Sequence, residues 1–280
     1  MWVTLALLAA LGCPAQETPV GTPAAPAQET KSSGLPLSGA AAEAFLRDAK
    51  VVENKPNPVG ITQSRRVKLS DGETTLRAKW QTIDVFKPGV TQFAEGGSEV
   101  DFRDCYKFEV AAYELDKLLG LDLVPPTVER AIDGEKGALQ LWVEGAMTEA
   151  DRKDKGLKVP DPEAWNAQIF KVRLIHQLTY DTDYNNVKNI LVDPEFRVYV
   201  IDLTRAFRKF GELLAEKDLT RFSRSVLERL GTLDKPLLEQ KLGRWLGRYE
   251  IEGLLKRRDK ILAVAKKRVA EKGEDAVLYP

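Results

Sequence analysis

The chain has 280 residues, 42 of them basic and 42 acidic, with 43% hydrophobic content, enough length and apolar material for a sizeable core. A formal net charge of +0 and a pI of about 6.7, with interspersed charges and no long basic stripe, argue against a nucleic-acid partner. A single histidine, His176, and two cysteines give too few ligands for most zinc sites and no second histidine to serve a Ser-His-Asp triad.

Residues 1–13, MWVTLALLAALGC, form an apolar run too short to span a membrane and of the length of a secretion signal's apolar core. An exported protein is the expectation, although no Lys or Arg precedes the run. Leu11-Gly12-Cys13 resembles the end of a bacterial lipobox, with Ala10 where leucine is usual. Lipidation at Cys13, and with it membrane anchoring, competes with cleavage after Ala15. Either route leaves Cys105 without a disulfide partner, and a buried thiol is expected there.

Residues 14–37 are rich in Pro, Ala, Gly, Thr and Gln, and read as a disordered tether because they bury too little to offset their ordering entropy. A first lobe is expected over residues 38–145. It opens with a short helix carrying Ala42, Phe45, Leu46 and Ala49, followed by a hairpin of residues 65–70 and 73–84 turning at Asp71-Gly72. Leu76, Ala78 and Trp80 share one face of the second strand, and Arg77, Lys79 and Gln81 share the other. A loop with Pro88-Gly89 and Gly96-Gly97 then leads to a predicted helix over residues 101–119, its apolar stripe running from Phe108 to Leu119 with Glu109 at the edge. Gly120 stops it. Residues 127–132 and 138–143 predict a second hairpin, and Glu144-Gly145-Ala146 a connector.

The second lobe, residues 146–280, is expected to be helical. Asp161-Pro162-Glu163 combines an aspartate cap, proline at the first helical position and an acid in the first turn. The helix they start runs through Trp165 and Ile175 to Leu178 and delivers the chain into TYDTDYNNVKNILVDPEFRVYVIDLTRAFR, residues 179–208. Here a loop of acids and amides precedes a predicted hairpin, Ile190-Leu-Val and Val198-Tyr-Val-Ile201 turning at Asp193-Pro-Glu, that ends at Asp202. Oxygen ligands of this kind suit magnesium or manganese and, through the metal, a polyphosphate. Three amphipathic helices around residues 219–230, 235–246 and 251–271 follow.

A small antiparallel sheet with one main helix, a connector and a helical half make an α+β, bilobal, protein-kinase-like plan. Phosphoryl transfer needs a group to orient the nucleophile, ligands for metal on the phosphates, and a lysine held by a glutamate. The segments DTDYNNVKNILVD and VIDLTRAF resemble the atypical kinases that include the phosphatidylinositol 3/4-kinases and the Golgi secretory-pathway kinases, above all their bacterial branch. The likeness extends through EAFLRDAKVV, GITQSRRVKLSDG, DCYKFEVAAYELDKLLGLDLVPPTVER, GALQLWVEG and LLKRRDKI. It implies Asp183 as the catalytic aspartate, Asn189 and Asp202 as metal ligands, Glu109 as partner of the nucleotide lysine, and ATP with Mg2+ or Mn2+ as cofactors. It also sets the adenine against Trp142, Val143 and Glu144.

Three departures stand out. Asp183 and Asn189 are six positions apart where kinases use five, while Asp181 and Asn186 keep five, so either pair could serve. Tyr184 holds the place of a basic residue that often follows the aspartate. The kinase register would put the lysine at Trp80, with Gln81 in the place expected from the bacterial branch; Lys79 is the first candidate and Lys87, in Val85-Phe-Lys-Pro88, the second. The expected activity is transfer of phosphate to a protein, lipid or sugar hydroxyl. The alternative is a pseudokinase, a nucleotide-binding or scaffold module at the cell envelope.

Overall fold

The computed structural model describes residues 1–2, 34–57, 64–94 and 96–280, with residues 28–29 described in backbone only. The N-terminal apolar run and Cys13 lie outside the described residues. In chain order the first half contains β1 (Gln28–Glu29), α1 (Gly39–Asp48), β2 (Lys50–Pro56), β3 (Arg65–Ser70), β4 (Thr74–Gln81), β5 (Asp84–Gln92), β6 (Ser98–Cys105), α2 (Tyr106–Leu119), β7 (Thr127–Ile132) and β8 (Glu135–Leu141). Five strands order as β2-β3-β4-β8-β7, with β1 beside β4.

The Asp71-Gly72 turn forms as its chemistry dictates: Asp71 Oδ1 accepts from the backbone N–H of Glu73 at 3.0 Å and of Thr74 at 2.8 Å. The turn fixes register, and register fixes which side chains share a face. Val67, Leu69, Leu76, Ala78, Trp80, Leu139 and Leu141 bury against Ala42, Phe45, Leu46 and Ala49 of α1. On the opposite face Arg66 pairs across to Lys79, and Lys79 to Gln140. That polar face forms the roof of the interlobe cleft.

Two stretches depart from expectation. Residues 50–56 form an edge strand, and residues 101–105, expected to start a helix, belong to β6, which pairs with β5 in a separate hairpin. Val100 and Phe102 alternate with Glu99, Asp101 and Arg103 in the period of a strand. Helix α2 begins only at Tyr106, whose N–H donates to Ile83 O at 2.7 Å.

The second half contains β9 (Met147–Thr148), α3 (Glu149–Asp154), α4 (Pro162–Thr179), β10 (Ile190–Val192), β11 (Val198–Val200), β12 (Phe222–Ser223), α5 (Arg224–Thr232), α6 (Lys235–Leu242), α7 (Arg248–Lys272), α8 (Glu274–Val277) and β13 (Leu278–Tyr279). Asp161 caps α4 by accepting from Glu163 N at 2.9 Å and Ala164 N at 3.1 Å. The main core joins Leu174, Ile175 and Leu178 of α4 and Val198 and Val200 of β11 to Phe108, Leu115 and Leu119 of α2. Helix α2 therefore belongs to both lobes, which sets Glu109 against the cleft. No helix among the described residues is long and apolar enough to cross a membrane.

Candidate active site

The loop after α4 is shaped by its own aspartates. Tyr180 ends the helix in the left-handed region, φ 52°. Asp181, 2% exposed, turns inward, where its Oδ2 lies 2.8 Å from His176 Nδ1 and its Oδ1 accepts from Asp183 N at 3.0 Å. His176 and Asp181 thus brace the loop from beneath. Asp183 faces the cleft, and its Oδ2 accepts from the amides of Asn186 at 3.0 Å and Asn189 at 2.9 Å. The two spacings found in the sequence differ in geometry: Asp181 turns to His176 beneath the loop, and the six-position pair meets in space.

Asn189 is placed by the hairpin that follows. The pairing of β10 with β11 sets Ile190 opposite Val200, and one bond further Ile201 N donates to Asn189 O at 2.9 Å. Asp202 therefore emerges beside Asn189. It takes a left-handed conformation, φ 60°, which aspartate tolerates better than most residues. Behind the loop, the buried Arg257 of α7 donates to Leu178 O at 2.7 Å and Arg208 O at 2.9 Å. Burial lowers its pKa to about 9. Gly253, one turn earlier, lets α7 approach this segment: a Cβ there would lie 2.9 Å from Arg208 O.

Across the cleft, Lys79 Nζ lies 2.6 Å from Glu109 Oε1 and 3.3 Å from Asp202 Oδ1. Burial opposes the lysine's charge, but the Asp202 and Glu109 carboxylates outweigh it and raise its pKa. Lys87, the other candidate, is exposed on β5, its ammonium 5.8 Å from the Phe102 ring centroid. Strand alternation explains the choice. Trp80 and Ala78 point into the α1 core, so the kinase-register position is turned away from the cleft.

The connector has one edge already in use. Glu144 N–H donates to Gly34 O at 2.8 Å, and Glu144 O accepts from Gly34 N at 2.7 Å. The Glu144 carboxylate binds Arg77, with Arg77 Nε at 2.9 Å. The Trp142 ring lies 5.0 Å from the Arg66 guanidinium and 5.4 Å from that of Arg77. Arg66, Arg77 and Gln140 are cleft residues that the motif reading passed over, and the two-residue period of β3, β4 and β8 is the signal that finds them.

Asn189 and Asp202 offer oxygen donors only, and Asp104 Oδ1 and Glu109 Oε2 are buried nearby without hydrogen-bond partners. No group of three or more acidic, histidine or cysteine side chains gathers into a metal cage among the described residues. A sparse oxygen set fits Mg2+ or Mn2+, which complete their coordination with water and phosphate oxygens.

No family model matches the chain, and no curated protein matches it by sequence. Solved structures do. A hydra Fam20 determined with sugar superposes with TM-score 0.61 at 15% identity, covering 85% of this chain and 90% of that one. The Golgi casein kinase with Mn/ADP bound gives TM-score 0.59 at 12% identity, covering 85% and 78%. The Helicobacter pylori proinflammatory kinase CtkA gives 0.51 at 11%, covering 81% and 98%. At such identities the likeness establishes the fold, which is kinase-like.

Proposed function

We propose that this chain is an ATP- and divalent-metal-dependent phosphotransferase acting on a hydroxyl acceptor. One observation carries the reading: Lys79, held at 2.6 Å by Glu109, reaches across the cleft to Asp202 at 3.3 Å. Such a lysine binds and orients phosphates in phosphoryl transfer. Asn189 and Asp202 hold the metal, which when bound neutralises phosphate charge. Asp183, oriented by the Asn189 amide, accepts the acceptor's proton. Glu144 has given its backbone groups to Gly34, which leaves the Val143 carbonyl and Gly145 N–H as the connector's contacts for an adenine. Residues 1–13 direct export, and mass spectrometry of the mature N-terminus would show whether Cys13 carries lipid.

Arg77 and Trp142 support a second reading. They place a guanidinium and a stacked aromatic ring beside the connector, where an adenine would need open apolar surface, and this favours a binding module without turnover. Thermal-shift titration separates the readings. Stabilisation by ATP with Mn2+ indicates a nucleotide site, and no shift under any condition removes the phosphotransferase and leaves only a scaffold that binds no nucleotide. Phosphate transfer that vanishes in Asp202→Ala establishes the phosphotransferase, whereas binding without transfer leaves the pseudokinase.

A further inference from the structure

The β5–β6 hairpin lies between the lysine strand and α2, and it reaches across to the segment after Asp202. Glu99 on β6 is the point of contact. Its Oε2 accepts from Arg205 Nη2 at 2.6 Å, and its Oε1 accepts from Arg208 Nη2, which also donates to Arg103 O at 2.8 Å. A second pair, Lys209 with Asp101, fixes the same hairpin at 2.6 Å. The Arg205 guanidinium lies 5.5 Å from the centroids of both Phe93 and Phe102, rings of the hairpin. On its other side Arg205 Nη1 lies 3.7 Å from Asp183 Oδ1.

Asp183 is therefore held at both oxygens, Oδ2 by the Asn186 and Asn189 amides and Oδ1 by Arg205. The chain of charges alternates: Asp183, Arg205, Glu99, Arg208. Glu99 and Arg208 are nearly enclosed, at 11% and 4% side-chain exposure, so their pair is a fixed anchor for Arg205, whose guanidinium faces Asp183. One glutamate serves two arginines, and Asp183 supplies the second negative charge. Arg205 also compensates for Tyr184, since it places a cation beside Asp183 from another segment.

We infer that the β5–β6 hairpin is the activating element of the site, and that Glu99 and Arg205 are positioning residues that hold Asp183 in its transfer geometry. This rests on the phosphotransferase reading. Glu99 is a fixed carboxylate in contact with the segment after Asp202, so phosphorylation of that segment is not required to order it. A misplacement of a reacting group by about 1 Å lowers turnover by about 100-fold, which sets the scale of the effect.

The test compares wild type, Glu99→Gln, Arg205→Gln, Arg205→Lys and the Glu99→Gln/Arg205→Gln double variant, each unmodified and with ATP and Mn2+. The readouts are kcat, the KM for ATP, and the thermal shift on ATP binding. The expected result is a fall in kcat of roughly 10-fold for Glu99→Gln and roughly 100-fold for Arg205→Gln. Arg205→Lys should recover part of that loss, with KM and the ATP-induced shift unchanged throughout. Because Glu99 acts through Arg205, the double variant should match Arg205→Gln alone. Unchanged kcat in Glu99→Gln, additive effects in the double variant, or loss of the ATP shift together with kcat would each overturn the inference. A wild type that transfers only after phosphorylation also overturns it. A wild type that binds ATP but never transfers phosphate overturns the phosphotransferase reading and this inference with it.

Discussion

Two hairpins build the floor and flank of this cleft, and they hold by different physics. The β10–β11 hairpin is sunk in the core, with Val192, Val198 and Val200 each at most 2% exposed, and it carries Asn189 and Asp202 at its open end. The β5–β6 hairpin leaves Phe86, Val90 and Val100 at 54%, 65% and 50% exposure and is held to the rest by Glu99, Asp101 and stacked guanidiniums. Apolar burial is insensitive to direction and makes a stiff mount for ligands that must not move. Ion pairs and cation–π contacts are directional, exposed pairs are worth little and an enclosed pair such as Glu99 with Arg208 repays its desolvation and little more, so the second hairpin aims a side chain while adding little to global stability.

The largest expected effect breaks the first hairpin. Val198→Asp would bury an unpaired carboxylate in the main core and cost about 4 kcal/mol or more, readable as a collapse of the urea midpoint. Next in size, Lys79→Met should remove most of the stabilisation by ATP with Mn2+, since it deletes the cation that bridges Glu109 and Asp202. Thermal shift of the folded variant checks this, and a full ATP shift would show that the cleft binds nucleotide by other groups.

A middle-sized prediction concerns the support behind β11. Val200 N donates to Leu123 O at 2.9 Å, and Asp116 Oδ1 fixes that loop by accepting from Leu123 N at 3.0 Å and Val124 N at 3.2 Å. Burial raises the Asp116 pKa to about 6. A carboxyl that holds its proton more tightly when folded loses stability as pH rises from its unfolded pKa, 3.8, to about 6. Asp116→Asn should therefore be more stable than wild type above pH 6, by on the order of 2 kcal/mol, and the gap should close near pH 4. Melting temperatures across pH 4–8 give the answer.

The smallest effect sharpens the contrast. Lys87→Ala on the exposed hairpin should change stability by no more than about 0.5 kcal/mol and leave ATP binding intact. A loss of binding there would move the nucleotide lysine from β4 to β5.

The contrast between the hairpins also explains what was legible beforehand. Ile190-Leu-Val, Asp193-Pro-Glu and Val198-Tyr-Val-Ile carry their strand and turn signals within a few residues, so the placing of Asn189 and Asp202 follows from local pattern. Helix α4 announced itself at Asp161-Pro162 for the same reason. Residues 101–105, expected within the helix, belong to β6 instead. Its two-residue alternation is short, and its pairing with β5 fixes the strand. Glu99 and Arg205, 106 positions apart, carry no local mark of their meeting. Long-range ion pairs depend on the final packing, and a single sequence does not encode them as a pattern. The choice between Lys79 and Lys87 sat between these cases, since the alternation of Ala78, Lys79 and Trp80 contained the answer once the buried face was known.

The Gly34–Glu144 bridge has a mechanical consequence. The two hydrogen bonds between Gly34 and Glu144 tie the segment entering α1 to the connector, so displacing Glu144 means breaking both of them as well as its carboxylate's bond to Arg77. The connector's backbone is thereby stiffened from outside the sheet.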